Sequence, residues 1–136
     1  MNLFDNYPSS SDYIPDNRPK HHKKHTITIM TGETATHSFD IPFDVTTECS
    51  NVEVFYKLGL DVILVKEMSD LDIVSIYDEE RDWHYSNVIV TLSCDETNLF
   101  RDTLLDTHVQ MRFTMNDGTV EYSEIYPVKV EDSLDM

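Results

Sequence analysis

The sequence contains little glycine, little cysteine and little positive charge. Its three glycines, Gly32, Gly59 and Gly118, lie far apart, so no glycine-rich loop of the kind that cradles phosphate groups is predicted. Cys49 and Cys94 are the only cysteines, and neither has a nearby partner at metal-ligand spacing. We expect both to be free thiols that pack as small core residues in a protein made in a reducing compartment.

Long apolar stretches are also missing. No segment approaches the roughly 18 consecutive apolar residues of a membrane span, and residues 1–13 lack the basic and apolar regions of a secretory signal. We therefore expect no membrane contact and synthesis in the cytoplasm.

The net charge is strongly negative and unevenly distributed. Ten basic residues oppose 26 acidic ones, and residues 1–25 carry a net charge of +1 whereas residues 26–136 carry −17. A body this negative repels phosphate backbones, so direct contact between the body and nucleic acid is not expected. A solvated acidic surface that keeps the protein soluble explains most of this charge.

Catalytic motifs are not found. His37, His84 and His108 are scattered, no serine occupies a nucleophile elbow, and carboxylates are too frequent for any pair to stand out. The acidic stretch at residues 78–82 lacks the spacing and the glycine of a calcium loop. We expect a protein that is not an enzyme, with no catalytic residue, cofactor or metal site.

Residues 1–25 have the composition of an extended N-terminal arm. Pro8, Pro15 and Pro19 oppose helix and central strand alike. Spaced apolar side chains in such a segment can anchor it in pockets of a partner, although a flexible tail has the same composition. The candidate anchors are Phe4, Tyr7, Tyr13 and Ile14.

A basic cluster closes the arm. Its charged members are Arg18, Lys20, Lys23 and Lys24. A metal site at the interleaved His21, His22 and His25 is disfavoured, because adjacent residues of an extended chain point to opposite sides. Contact with nucleic acid or with an acidic surface remains open, and the acidic body of a neighbouring copy is the simplest partner.

The stretch from His108 to Val130 predicts a central hairpin. Val109, Met111, Phe113 and Met115 alternate with polar residues, as in a strand with one buried face. The turn Asn116-Asp117-Gly118 tolerates positive φ. A single returning strand is predicted to follow, with Val120, Tyr122, Tyr126, Val128 and Val130 on one face.

Further strands are predicted at 26–29, 37–43, 52–58, 62–66, 73–77 and 88–92. Pro42 should place the second strand at an edge or end it. Ser93 and Glu96 have capping-box spacing and predict a short helix over 94–100, with Leu99 and Phe100 plugging the end of the domain.

Residues 78–87 are predicted to form a protruding hairpin loop. Trp83 and Tyr85 in this loop are candidate partner-binding residues, although aromatic side chains here could equally fold back onto the sheet.

This pattern predicts an all-β fold: a single antiparallel sandwich of immunoglobulin type with about seven or eight strands. The arm covers 1–25, the domain 26–130 and an acidic tail 131–136.

Three segments resemble small, mostly uncharacterised β-proteins encoded among the virion genes of tailed phages from gut and low-GC bacteria. The first runs from Ile27 to Gly32 and continues at Phe39-Asp40-Ile41-Pro42-Phe43; the second is Val88–Phe100; the third joins Val109–Arg112 to Asp117-Gly118, Ser123-Glu124-Ile125 and Val128. The resemblance spans roughly residues 26–130 and implies a structural part of the virion.

Two functions follow as expectations. The first is a virion structural protein, such as a capsid auxiliary or decoration protein or a head–tail connector accessory protein, which docks on other capsid, neck or tail subunits through its arm and is multimeric in the particle. The second is a surface module that recognises a glycan or host receptor through the 78–87 loop.

Overall fold

A computed structural model describes residues 27–132, which form nine strands and two short α-helices. The strands are β1 Ile27–Met30, β2 Ala35–Ile41, β3 Cys49–Leu58, β4 Asp61–Glu67, β5 Leu71–Asp78, β6 Trp83–Leu92, β7 Thr107–Met115, β8 Val120–Tyr122 and β9 Tyr126–Glu131. The helices are α1 Val45–Glu48 and α2 Cys94–Thr97, and 3-10 turns occupy Met68–Asp70 and Asn98–Phe100.

The strands form two sheets. The larger has the order β1-β9-β7-β3-β4, with β8 also paired to β7, and the smaller has the order β2-β6-β5. β1 and β9 run parallel, whereas every other described strand pair is antiparallel. The predicted all-β, sandwich-like fold is confirmed; its assignment to the immunoglobulin type stays a prediction.

The core lies where the two sheets face each other. Phe43, which follows β2, meets Phe113 of β7 edge-on at 5.3 Å between ring centroids, and Phe39 of β2 lies 4.9 Å from Tyr126 of β9. The four apolar residues predicted for one face of β7 are all buried. Burial of such side chains is the main stabilising contribution to a fold of this kind.

The first strand of the predicted central hairpin is confirmed as β7. The prediction of a single returning strand is wrong. The chain leaves the strand conformation between β8 and β9, and Val120 and Tyr122 are half exposed whereas Tyr126 packs against the core. At this break Ser123 donates its N–H to the carbonyl of Met111, and its Oγ accepts the N–H of Met111 at 2.9 Å. The side chain thereby replaces one bond of the ladder, and the returning segment becomes two strands.

Two local predictions are confirmed. β2 ends at Ile41, directly before Pro42, and lies at the edge of the smaller sheet. The capping box is present at α2: Ser93 Oγ accepts the N–H of Glu96 at 3.1 Å, and Glu96 Oε1 accepts the N–H of Ser93 at 2.8 Å.

The prediction that Leu99 and Phe100 plug the end of the domain is confirmed for Phe100 and wrong for Leu99. Phe100 is fully buried, with its ring 6.1 Å from that of Tyr56, whereas Leu99 is half exposed. The 3-10 turn Asn98–Phe100 directs these consecutive side chains to different sides, because about three residues complete one turn.

Within residues 27–132 no helix has the length and apolar character needed to cross a lipid bilayer.

Candidate functional site

The predicted loop at 78–87 is wrong in extent. Only Glu79–Asp82 form a turn, and β6 begins at Trp83 and pairs with β5 throughout, from Asp78↔Trp83 to Leu71↔Val90. Asp82 has a φ of 50°, which closes the turn, and Asp78 Oδ1 accepts the N–H groups of Glu80 and Arg81. Trp83 and Tyr85 are therefore strand residues.

The side chains of Trp83 and Tyr85 lie on the same face of β6. Both are half-buried, their ring centroids are 5.6 Å apart, and the indole N–H of Trp83 donates to the carbonyl oxygen of Pro42 at 3.1 Å. Because the polar edge of the indole is already bonded and the rings cover each other, these two aromatics fold back onto the sheet, which is the alternative that the sequence left open.

A second aromatic pair is exposed beside this turn. The rings of Tyr77 and His84 lie 4.6 Å apart, and the Tyr77 hydroxyl donates to Asp82 Oδ1 at 2.6 Å. This hydrogen bond is the main cause that raises the pKa of Tyr77, followed by burial and by the negative charges of Asp82 and Asp78. The two rings are tilted by 37° to each other, and together they form an exposed aromatic patch.

A larger exposed apolar surface lies elsewhere, at one end of the sandwich. The N–H of Gly59, in the β3–β4 turn, donates to the carbonyl oxygen of Asp106 at 2.8 Å. This bond brings the turn against the loop that precedes β7. Leu60 and Leu104 are 97% and 100% exposed, and Leu105 is 58% exposed although it lies close to Gly59. We call Leu60, Leu104 and Leu105 the apolar end.

An open groove of about 460 Å³ borders the apolar end. The loop 103–106, which includes Leu104 and Leu105, lines it together with Ile125 and with Pro127, Val128 and Val130 of β9. Thr107 and His108, at the start of β7, complete the lining. The groove exists because β7 pairs with β9 only at Tyr126–Val128, so β9 continues beyond the start of β7 without that partner.

Two acidic residues lie at or beside the groove, and we call them the acidic rim. Asp106 lines the groove, and Glu124 directly precedes the lining residue Ile125. Burial and then the negative charges of Glu124 and Asp40 raise the pKa of Tyr126, at the start of β9. Positive charge on a partner would complement the acidic rim.

The hydroxyl of Thr107 is an unusual feature of the groove. Thr107 is 6% exposed, and its Oγ1 is buried without a hydrogen-bond partner among the described residues. Because buried polar groups normally have partners, and an unsatisfied one costs about 1–3 kcal/mol, this hydroxyl is an exception among the buried polar side chains of residues 27–132.

Most predicted site residues fall outside the described part of the chain. The anchors Phe4, Tyr7, Tyr13 and Ile14 and the basic residues Arg18, Lys20, Lys23 and Lys24 precede residue 27, where the description begins. The point where the arm joins the domain is defined: Ile27 pairs in register with Val128, which lines the groove. The sequence missed the groove, although the adjacent Leu104 and Leu105 in an otherwise polar connection were a signal for it.

His37 and Ser86, two polar side chains in the core, are committed to structural hydrogen bonds. His37 is bonded to the hydroxyl of Tyr56 and to the carbonyl of Thr28, and Ser86 Oγ donates to the carbonyl of Phe43 while it accepts the N–H of Val45. Within residues 27–132, no three His, Cys, Asp or Glu side chains are grouped so that they could hold a metal ion.

The two cysteines are free and occupy different surroundings. Cys49, at the start of β3, is buried with its Sγ 3.7 Å from the sulfur of Met115, as expected for a small core residue. Cys94 is exposed at the start of α2. The prediction that both cysteines pack in the core is therefore wrong for Cys94, because the capping box places this residue in an exposed helical turn.

Comparison with protein-family models finds no match to the chain, and comparison with curated proteins finds none either.

Proposed function

We propose that the protein is a structural component of a bacteriophage virion, a capsid auxiliary or decoration protein or a head–tail connector accessory protein, without enzymatic activity. It docks on neighbouring subunits through its N-terminal arm. It is made in the cytoplasm of the bacterial host and functions in the particle. The resemblance of residues 26–130 to small virion β-proteins suggests the setting.

The observation that carries this proposal is the position of the apolar end. Leu104 and Leu105 are exposed and line a groove at the point where the arm joins the domain, and the exposed Leu60 lies in the turn that Gly59 ties to Asp106. Exposed apolar side chains clustered in this way among polar groups are typical of a protein–protein contact. A subunit that both offers such a surface and carries a spaced-aromatic arm has two elements for assembly.

The test is the copy number of the protein in purified particles of the phage that encodes it. An assembly protein repeats with the symmetry of the head, neck or tail, so quantitative mass spectrometry should find a fixed ratio to the major subunit. The major capsid protein and a known host enzyme serve as positive and negative controls. Absence of the protein from particles that were washed in moderate salt would contradict the proposal.

A second function, recognition of a glycan or host receptor, has one observation in its favour. The adjacent rings of Tyr77 and His84 are exposed beside the 79–82 turn, and an exposed aromatic ring can pack against a sugar ring. The binding site for this function would be Tyr77 and His84, on the face of the β5–β6 hairpin opposite Trp83 and Tyr85. Binding to a glycan array that is lost in Tyr77→Ala and retained in Trp83→Phe would support it.

A further inference from the structure

We propose that the groove at the apolar end receives the N-terminal arm of a neighbouring copy of the same chain. The apolar anchors of the arm would occupy the groove, and its basic cluster would lie over the acidic rim. This inference rests on the proposed function and specifies its partner.

The first argument is the place where the arm begins. Residue 26 directly precedes Ile27, and Ile27 is paired with Val128 in the groove wall. If copies pack side by side in an assembly, the groove ends of neighbouring copies lie close together. The arm of one copy then starts near the groove of the next copy. The attachment point of the arm and its proposed receptor are thus at the same end of the domain.

The second argument is the reach of the arm. Twelve residues separate Ile14, the last anchor, from Ile27. At about 3.3–3.6 Å per residue they can span roughly 40 Å, more than the roughly 30 Å length of the nine-residue strand β7. Ile14 and Arg18 each precede a proline, which biases them towards extended backbone. A long spacer with this bias favours delivery of the anchors to another copy over return to the groove beside their own attachment point.

The third argument is charge. The arm carries a net charge of +1, whereas residues 26–136 carry −17. In that body, Asp106 lines the groove and Glu124 directly precedes the lining residue Ile125. Identical acidic bodies repel one another when they pack together, so a partner for this surface should bring positive charge, and the basic cluster of the arm does so.

The fourth argument is the chemistry of the groove itself. Its walls are about equally apolar and polar: Leu104, Leu105 and Ile125 are exposed there, and Thr103, Asp106 and His108 also line it. Phe4 and Ile14 suit the apolar parts of the walls. Tyr7 and Tyr13 are amphipathic, so their rings suit the apolar parts and their hydroxyls suit the polar ones.

The experiment is cysteine cross-linking between two differently tagged forms of the full chain, both carrying Cys94→Ser to remove the exposed native thiol. One form carries Tyr13→Cys and the other Ile125→Cys; the two are mixed and oxidised under mild conditions. The matched control replaces Ile125→Cys by Val74→Cys, because Val74 is exposed to a similar degree (46% against 55%) but lies on β5 in the smaller sheet. Circular dichroism verifies that each variant is folded.

The expected result is a product that contains both tags. Because docking holds the two thiols at a high effective concentration, this product should form roughly tenfold or more faster with Ile125→Cys than with Val74→Cys. In the Ile125→Cys form, the further change Leu104→Ser should reduce the rate towards that of the control.

Two results would overturn the inference. One is equal cross-linking at positions 125 and 74. The other is a link that forms only within one chain when Tyr13→Cys and Ile125→Cys are combined in a single molecule. If the protein is nevertheless found at a fixed copy number in particles, only the arm–groove contact fails and the proposed function stands.

Discussion

The imidazole of His37, in the smaller sheet, accepts a hydrogen bond from the hydroxyl of Tyr56, in the larger sheet, at 2.7 Å. The other ring nitrogen, Nε2, lies 3.0 Å from the carbonyl oxygen of Thr28. A carbonyl can only accept, so Nε2 carries the hydrogen and Nδ1 is the acceptor. This neutral tautomer satisfies both nitrogens and ties the two sheets together inside the core.

A dependence of stability on pH follows from this arrangement. Burial lowers the pKa of His37, against a smaller opposite effect of its bond to Thr28. The unfolded chain takes up the proton near pH 6.5, whereas the native imidazole takes it up only at lower pH. The contribution of His37 is therefore complete above pH 6.5, falls as the pH drops through that value, and levels off below the lowered native pKa.

Urea unfolding between pH 7.5 and 5 tests this prediction. His37→Gln should flatten the loss of unfolding free energy relative to the parent protein over that range. His84→Gln, which alters an exposed histidine of the same sheet, should leave the slope as it is in the parent. If the unfolding free energy of His37→Gln falls with pH as steeply as that of the parent protein, the prediction is contradicted.

The two cysteines should react at very different rates. Burial raises the pKa of Cys49 to about 12, with the nearby carboxylates of Glu48 and Asp44 adding to the effect, so the reactive thiolate is scarce. Cys94 is exposed. Iodoacetamide should add one group to the native protein and two after unfolding, as measured by intact mass, and Cys94→Ser should remove the fast addition. A non-reduced mass lower by two hydrogens would show a disulfide and contradict the account.

The break between β8 and β9 depends on a single hydroxyl. Ser123→Ala would leave the buried N–H of Met111 without its acceptor, at a cost of about 1–3 kcal/mol in unfolding free energy. Ser50→Ala removes an exposed hydroxyl bonded at 3.3 Å and should change stability by less than about 0.5 kcal/mol. Urea denaturation measures both. Equal effects of the two substitutions would refute this role of Ser123.

The sequence predicted the features that depend on local chemistry. The alternation of Val109, Met111 and Phe113 identified a half-buried strand, and the spacing of Ser93 and Glu96 identified the capping box. These patterns are decided within a few residues, so no knowledge of distant partners is needed.

The features that failed depend on distant contacts. Trp83 and Tyr85 belong to β6 because β5 supplies a partner for each residue from Trp83 to Val90, and the charged run before Trp83 gave no sign of this pairing. The parallel pairing of Ile27 with Val128 joins the two ends of the domain. The groove forms where β9 extends past the start of β7. No periodicity in the sequence predicts how far the two strands overlap.

The basic cluster should make assembly sensitive to salt. Each exposed ion pair contributes only about 0.2–1 kcal/mol, but the contact repeats at every interface. Screening over a Debye length of about 8 Å at physiological ionic strength should weaken assembly as salt rises. Replacing Arg18, Lys20, Lys23 and Lys24 by Gln should weaken incorporation into particles and flatten that salt dependence, with Lys57→Gln, on β3, as the control. If the quadruple variant assembles at low salt as well as the parent protein, the basic cluster is exposed to solvent and makes no contact that contributes to assembly.

Incorporation of an arm-deleted chain into particles tests the central claim most directly. The full chain and a chain that begins at Thr26 are supplied to the phage that encodes the protein, and each is quantified in purified particles by mass spectrometry. Circular dichroism and thermal unfolding establish whether the shortened chain is folded. We predict a soluble, folded β-domain that is absent from the particles, whereas the full chain is present. Incorporation of the folded, shortened chain at the level of the full chain, or loss of the fold on deletion of the arm, would contradict the account.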